Sequence, residues 1–271
     1  MRIQVLGLCR FSMLVENAFQ SVGSDLNQSR GFLYDPRRLE QRMRWFEHLC
    51  LQPLLWQTDP DFTLILATGI DLPQPWLARL TEIAGAVPQI RLEQVAPGKH
   101  GQICRQLLAK HTDPDADVVA QFRMDDDDAV ALDYVAQLRQ DFRLIRPLMK
   151  ADAPVALDYT QGLVIERQGD GSFDIRAEHA RLWVPALAMY FPADRPGSIM
   201  NYRHDWIWRL ATMVSRNHPL MWIRGFHGKN DSPRTHYRPM QIEMAKEQID
   251  QTLRRRFGLD RELLVETLAQ D

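Results

Sequence analysis

Through the first half of the chain, short apolar runs bounded by turn residues alternate with longer stretches whose apolar positions recur at helical spacing. Ile3 to Leu8 reads as a buried strand, with Arg10, Phe11 and Ser12 at its carboxyl end. Residues from Glu16 to Arg30 are polar and poorly periodic, which predicts a loop. Between Arg37 and Leu55, the residues Leu39, Met43, Phe46 and Leu49 share one helical face, and Gln57-Thr58-Asp59-Pro60 ends the pattern. Phe62 to Ala67 predicts a second buried strand, Pro75 to Ala84 a helix with proline in its first turn, and Ile90 to Val95 a short strand. A further helix, Gly101 to His111, leads into the apolar run Val118-Val119-Ala120-Gln121-Phe122. Strands and helices alternating at this spacing predict an α/β fold with a mostly parallel, doubly wound sheet. In such sheets ligands collect at the carboxyl ends of the strands.

The second half has shorter strands: Pro154 to Tyr159, Gly162 to Arg167, Ser172 to Ala177 and Ala186 to Phe191. Gln168-Gly169-Asp170-Gly171 is a hairpin turn signal between two of them. A helix from Asp205 to Ser215, a strand from Met221 to Gly225, a polar loop from Phe226 to Tyr237 and a C-terminal helix from about Met240 are expected to follow. No repeat, low-complexity tract or linker divides the sequence, so one integrated domain is expected.

Chemistry concentrates at Phe122-Arg123-Met124-Asp125-Asp126-Asp127-Asp128-Ala129, which reads as a strand, a tight acidic turn and a helix from Ala129 to Phe142. Carboxylates are common at helix N-termini, where free amides and the dipole favour them. Four in succession after a β-branched run exceed what capping needs. Burying any of them without a partner costs several kcal/mol, and a divalent cation that takes carboxylate oxygens relieves the repulsion while leaving positions for phosphate oxygens. Two more segments stand out. In Asn201-Tyr202-Arg203-His204-Asp205-Trp206-Ile207-Trp208, Asp205 is either a helix cap or a general base near the ligand edge. In Arg224-Gly225-Phe226-His227-Gly228-Lys229, glycines on either side of the histidine permit close backbone approach to a ligand, although a lone histidine is commonly structural. The phosphate-cradling Gly-x-x-x-x-Gly-Lys loop, the dinucleotide Gly-x-Gly-x-x-Gly, Gly-x-Ser-x-Gly and His-Glu-x-x-His are all missing.

Composition changes little. The 271 residues are 45% hydrophobic and 25% charged, as expected of a globular chain with a substantial core. A net charge of −2 provides no global basic field and excludes wholesale nucleic-acid binding. Arg254-Arg255-Arg256 forms a local basic run whose helix could touch a membrane surface peripherally. Cys9, Cys50 and Cys104 make neither a disulfide framework nor a zinc pattern. The apolar start is too short for a signal peptide, and no stretch approaches the roughly 18 apolar residues of a membrane helix. A reduced, cytoplasmic protein is expected.

Arg10-Phe11-Ser12, the segment around Gln57-Thr58-Asp59-Pro60-Asp61-Phe62, the Asp-x-Asp-type run after Arg123 and the late His227 come in an order that resembles the GT-A glycosyltransferases, and more narrowly the bacterial rhamnosyltransferase family, over roughly Val5 to Ser232. The resemblance implies a GT-A-like single domain: 1–128 a nucleotide-sugar-binding half, 129–239 an acceptor-side half, and 240–271 C-terminal helices. It implies a hexosyltransferase moving a sugar, with rhamnose one candidate, from a nucleoside-diphosphate-sugar to a hydroxyl of a glycan, lipid-linked or small-molecule acceptor. Asp125, Asp127 and His227 would hold Mn²⁺ or Mg²⁺, and Arg10, Arg123, Asp125, Asp126 and Lys229 would bind the donor. Asp126 and Asp128 would cap or support the turn. Asp205 would be the base of an inverting reaction, although inverting members often carry Glu-Asp where this chain has His204-Asp205. Trp183, Tyr190, Trp206 and Trp208 could stack on sugars or fill the core. A metal-dependent nucleotidyl or phosphoryl transferase and a non-enzymatic cation-binding protein are the competing readings.

Overall fold

A computed structural model describes residues 1–16, 26–149, 153–195, 197–228 and 239–270. Alternation along β1 (Ile3–Arg10) explains its central place: Val5 and Cys9 enter one core cluster, Leu6 and Leu8 the other, on opposite faces of the sheet. On one side β1 pairs in parallel with β2 (Thr63–Gly69), which pairs in parallel with β3 (Ile90–Val95). On the other it pairs in parallel with β4 (Val118–Asp125). β9 (Leu187–Pro192) then runs antiparallel between β4 and β6 (Val155–Tyr159), and β10 (Thr212–Arg216) closes the seven-stranded sheet in parallel with β6. This is the expected mostly parallel α/β sheet.

Helices α4 (Gln74–Ala86) and α5 (His100–Lys110) make the crossovers between the parallel strands. The predicted helix from Arg37 to Leu55 is continuous: α2 (Pro36–Trp45), a π-helical turn Phe46–Cys50, and α3 (Leu51–Leu55). Asp35 caps it, accepting from the Arg38 amide at 3.0 Å. Part of the stretch expected as a loop is helical instead, as α1 (Leu26–Leu33).

A second, five-stranded sheet has the order β12 (Met240–Ile242), β8 (Phe173–His179), β7 (Gln161–Arg167), β11 (Trp222–Phe226), β5 (Asp128–Val130). The hairpin signal at 168–171 joins β7 to β8, with Gly171 at φ 85°. Three expectations fail in this half. The acidic turn does not open a helix: Asp128, Ala129 and Val130 are captured as a strand by β11, and α6 (Tyr134–Ile145) begins later. The helix expected from Asp205 to Ser215 is a short 3₁₀ turn, His204–Arg209, followed by β10, because Thr212 and Val214 pair beside β6. The C-terminal helix starts after β12 as α7 (Lys246–Thr252), and a π-helical turn Leu253–Phe257 and left-handed Gly258 separate it from α8 (Arg261–Ala269). The basic run there is not a free solvated face. Arg254 pairs with Asp260 at 3.0 Å, and Arg256 forks onto both oxygens of Asp133 at 2.8 Å. Peripheral membrane contact through this helix is therefore unsupported. Among the described residues, no helix is long and apolar enough to cross a membrane, and the three cysteines are buried and unbridged.

Candidate active site

The parallel pairing of β1 and β4 places Arg10 directly opposite Asp125. Arg10 Nη2 donates to Asp125 Oδ1 at 2.5 Å, and Nη1 lies 3.1 Å from Nε2 of His100 at the start of α5. Burial, then the Arg10 and Arg123 charges, press the His100 imidazole down to about 4, so it is neutral and accepts from Arg10. Burial pushes Asp125 upward, but Arg10, with help from Arg224 and Arg42, overrides it and holds the carboxyl well below its ordinary range.

From Asp125 the chain turns sharply, and each following carboxylate goes to a different element. Asp126 points into the protein, where Arg42 of α2 takes both its oxygens, one through Nε at 2.7 Å. Asp127 Oδ2 lies 3.0 Å from Nε2 of His227, and both side chains are buried. The His227 ring is packed edge-on against Trp45, with centroids 5.5 Å apart. Gly225 allows this approach, since a Cβ there would collide with the Asp127 carbonyl and the Trp45 ring. Asp128 accepts from the Asp125 amide at 3.3 Å, and burial followed by the Asp127 charge pushes its acid well up.

Asp125, Asp127 and Asp128 each offer an oxygen within 4.8 Å of the others. Three hard carboxylate donors crowded in this way, one of them pushed towards protonation, fit a divalent cation of the magnesium or manganese type. Of the expected metal set, Asp125 and Asp127 are in this cluster. His227 touches Asp127 from behind, and Asp128 is the third oxygen donor.

A cleft of about 680 Å³ opens above Arg10, Arg123 and Asp125, between the carboxyl ends of β1 and β4 and the face of the second sheet. Its size is that of a small-molecule site. Arg123 sits deep in its floor, where burial, then Arg10, draw the guanidinium down to about 10. Asp205 lies on another wall, forked by Arg203 at 2.8 and 3.2 Å, and that bond keeps it ionised below the ordinary range. Of the acidic turn only Asp125 lines the cleft; Asp126, Asp127, Asp128 and His227 are buried beside it, and Lys229 lies outside the described residues.

Sequence reasoning missed the second-sheet wall. Arg224 stands opposite Asp128 in register and stacks over Trp183 at 5.0 Å and Phe226 at 5.3 Å. Arg176 Nε donates to Glu178 at 2.7 Å. The available signal was an arginine inside the apolar run Trp222-Ile223-Arg224-Gly225, since a charge on a buried strand needs a partner.

Solved structures similar in outline include a 1–349 fragment of TarS from S. aureus, at 12% identity and a TM-score of 0.44, covering 83% of this chain and 60% of that one. The same fragment with UDP matches at 11% identity, TM-score 0.44 and the same coverage. A Bacillus anthracis protein described as a "Putative Glucose-1-Phosphate Thymidylyltransferase" matches at 10% identity and a TM-score of 0.33, covering 81% of this chain and 88% of that one. The chain thus spans about 60% of the TarS fragment's length. No curated protein matches it. Residues 4–239, a span that contains Arg10, the acidic turn, Asp205 and His227, match the family described as "Putative rhamnosyl transferase", and the chain belongs to that family.

Proposed function

We propose that the cleft transfers a glycosyl group from a nucleoside-diphosphate sugar to an acceptor hydroxyl, with a 6-deoxyhexose such as rhamnose as the sugar. The observation that carries this reading is the convergence of Asp125, Asp127 and Asp128 beside Arg10 at the carboxyl end of adjacent parallel strands. As the glycosidic bond breaks, negative charge grows on the departing diphosphate. Arg10, Arg123 and Arg224 face that charge from the floor and from the second sheet. A Mn²⁺ or Mg²⁺ ion held by Asp125, Asp127 and Asp128 would supply further positive charge to the leaving group. His227 orients Asp127, and Arg42 holds the turn through Asp126. Lys229, two residues after His227, would join the diphosphate contacts.

Asp205 is the acceptor-side base. In its resting state the fork from Arg203 occupies both oxygens, so one must be released before the carboxylate takes a proton from the acceptor. Arg203 is largely exposed and also lies over Trp206 at 5.4 Å, a contact that can keep it close when one bond of the fork opens. Attack from the Asp205 side, opposite the diphosphate, inverts the anomeric centre. Trp183 and Phe226 line the cleft beneath Arg224, which lies over both rings.

A thermal-shift screen of nucleoside diphosphates and nucleotide-sugars, with and without Mn²⁺, tests the reading. Stabilisation by a nucleoside diphosphate that needs the cation is expected. Release of pyrophosphate instead of a nucleoside diphosphate on turnover would assign the site to nucleotidyl transfer.

A further inference from the structure

We propose that residues 206–210 form a membrane-surface contact that sets the mouth of the cleft against an anionic phospholipid bilayer. Three large apolar side chains emerge within five residues: Trp206 is 48% exposed, Trp208 54% and Leu210 62%. Ile207 between them is fully buried in the second core cluster and pins the turn to the body of the protein. A 3₁₀ turn places residues three apart on one side, and Arg209 accordingly lies over Trp206, 4.4 Å from the ring centroid, while also reaching 4.9 Å from Trp208.

The charge balance of the patch is cationic. Arg203 is neutralised by Asp205, and burial holds His204 in its neutral form. Arg209 has no carboxylate partner among the described residues.

The choice of a bilayer over a sugar follows from how the indoles are already used. Carbohydrates stack on open aromatic faces and hydrogen-bond to free polar edges. Here Arg209 lies over both rings, Arg203 also lies over Trp206 at 5.4 Å, and Trp208 Nε1 donates to the Asp205 carbonyl at 3.2 Å. Leu210 offers a sugar nothing. Tryptophan at headgroup depth, leucine at the acyl boundary and an uncompensated arginine facing lipid phosphates is the composition that partitions to an anionic interface. The patch is continuous with the site, because Arg203, His204 and Asp205 line the cleft. If Asp205 receives the acceptor hydroxyl, which rests on the function proposed above, that hydroxyl arrives from the bilayer surface on a lipid-anchored acceptor.

The test is sedimentation of the full chain with vesicles of phosphatidylcholine alone and of phosphatidylcholine mixed equally with phosphatidylglycerol. Binding to the anionic vesicles is expected, with a Trp206→Ala/Trp208→Ala variant losing about tenfold in partitioning. Arg209→Gln should reduce the preference for anionic over neutral vesicles. These side chains are exposed, so the variants should melt with the wild type and bind nucleoside diphosphates equally well. That second readout separates failure of membrane docking from failure of the glycosyltransferase reading. Wild-type protein left in the supernatant, or a double variant that binds as well as wild type, overturns the proposal. So does vesicle-free self-association abolished by the same variants, which would make the patch an interface between copies of the chain.

Discussion

Arg42 and Asp126 form a buried ion pair beneath the acidic turn, with Nε of the arginine 2.7 Å from Oδ2 of the aspartate. The pair ties α2 to the turn and leaves Asp125, Asp127 and Asp128 to converge on one another. Removing one member of a buried pair strands the other. Arg42→Ala should therefore cost about 3–5 kcal/mol in denaturant unfolding. Replacing both residues with leucine should recover most of that loss while still impairing nucleotide binding, because the turn is no longer tethered. A single Arg42→Ala variant as stable as wild type would show that the pair does not anchor the turn.

Asp127 stands between His227 and the other two carboxylates, so its removal should be felt first in cation-dependent binding. Asp127→Ala is expected to abolish the Mn²⁺-dependent part of nucleoside-diphosphate affinity in calorimetry, with the fold retained. Asp127→Asn should keep part of the contact with His227 while losing the charge. Full retention of metal-dependent affinity in Asp127→Ala would remove the carboxylate cluster from the donor site.

Asp205 separates a base from a structural residue cleanly. Asp205→Asn should leave donor affinity intact and lower turnover by about 10²–10⁴-fold, the usual worth of general-base catalysis. Arg203→Ala should act in the other direction on the pH profile. The Arg203 bond holds Asp205 below its ordinary range, so its loss should move the acidic limb of turnover to higher pH. Normal turnover in Asp205→Asn with saturating donor would leave the reaction without this base.

Asp158 on β6 predicts a pH dependence of stability. Its carboxylate is fully buried and accepts from the Leu182 amide with both oxygens at 3.1 Å. Burial nevertheless raises it to about 6. The folded state thus holds this proton more tightly than the unfolded chain, where an aspartate titrates near 3.9. The favourable contribution is complete below about pH 3.9 and is lost as pH rises through about 6, a change of about 3 kcal/mol at most. Asp158→Asn should flatten that segment of the stability curve, measured by denaturant unfolding from pH 4 to pH 8 as an approximate working range. An unchanged slope in the variant would mean that another group carries the titration.

Much of the scaffold was legible because its signals are local. The buried strands β1, β2 and β3 and the helix through Leu39, Met43 and Phe46 are announced by their own apolar periods, and Gly171 by the turn that only it closes easily. Where the sequence misled, a tertiary partner had overridden a local preference. Ala129 and Val130 sit in a stretch of helical composition, yet β11 captures them as a strand. Thr212 to Arg216 continue an apolar run that reads as helix, yet β6 offers a free edge.

The same division holds at the site. The sequence by itself determined that carboxylates would crowd at the carboxyl end of a strand, on the same sheet edge as Arg10, because four aspartates directly follow a buried apolar run; the pairing of β1 with β4 that puts Arg10 opposite Asp125 is tertiary. The sequence also marked Asp205 and His227 as residues in unusual settings. Only the tertiary structure decided which carboxylate faces which partner: Asp126 towards Arg42, Asp127 towards His227, Asp128 opposite Arg224. Successive residues in a tight turn point in divergent directions, and a side chain's electrostatic fate depends on what another element brings within a few ångströms. That information is distributed over α2, β11 and the turn, and no local window of the chain contains it.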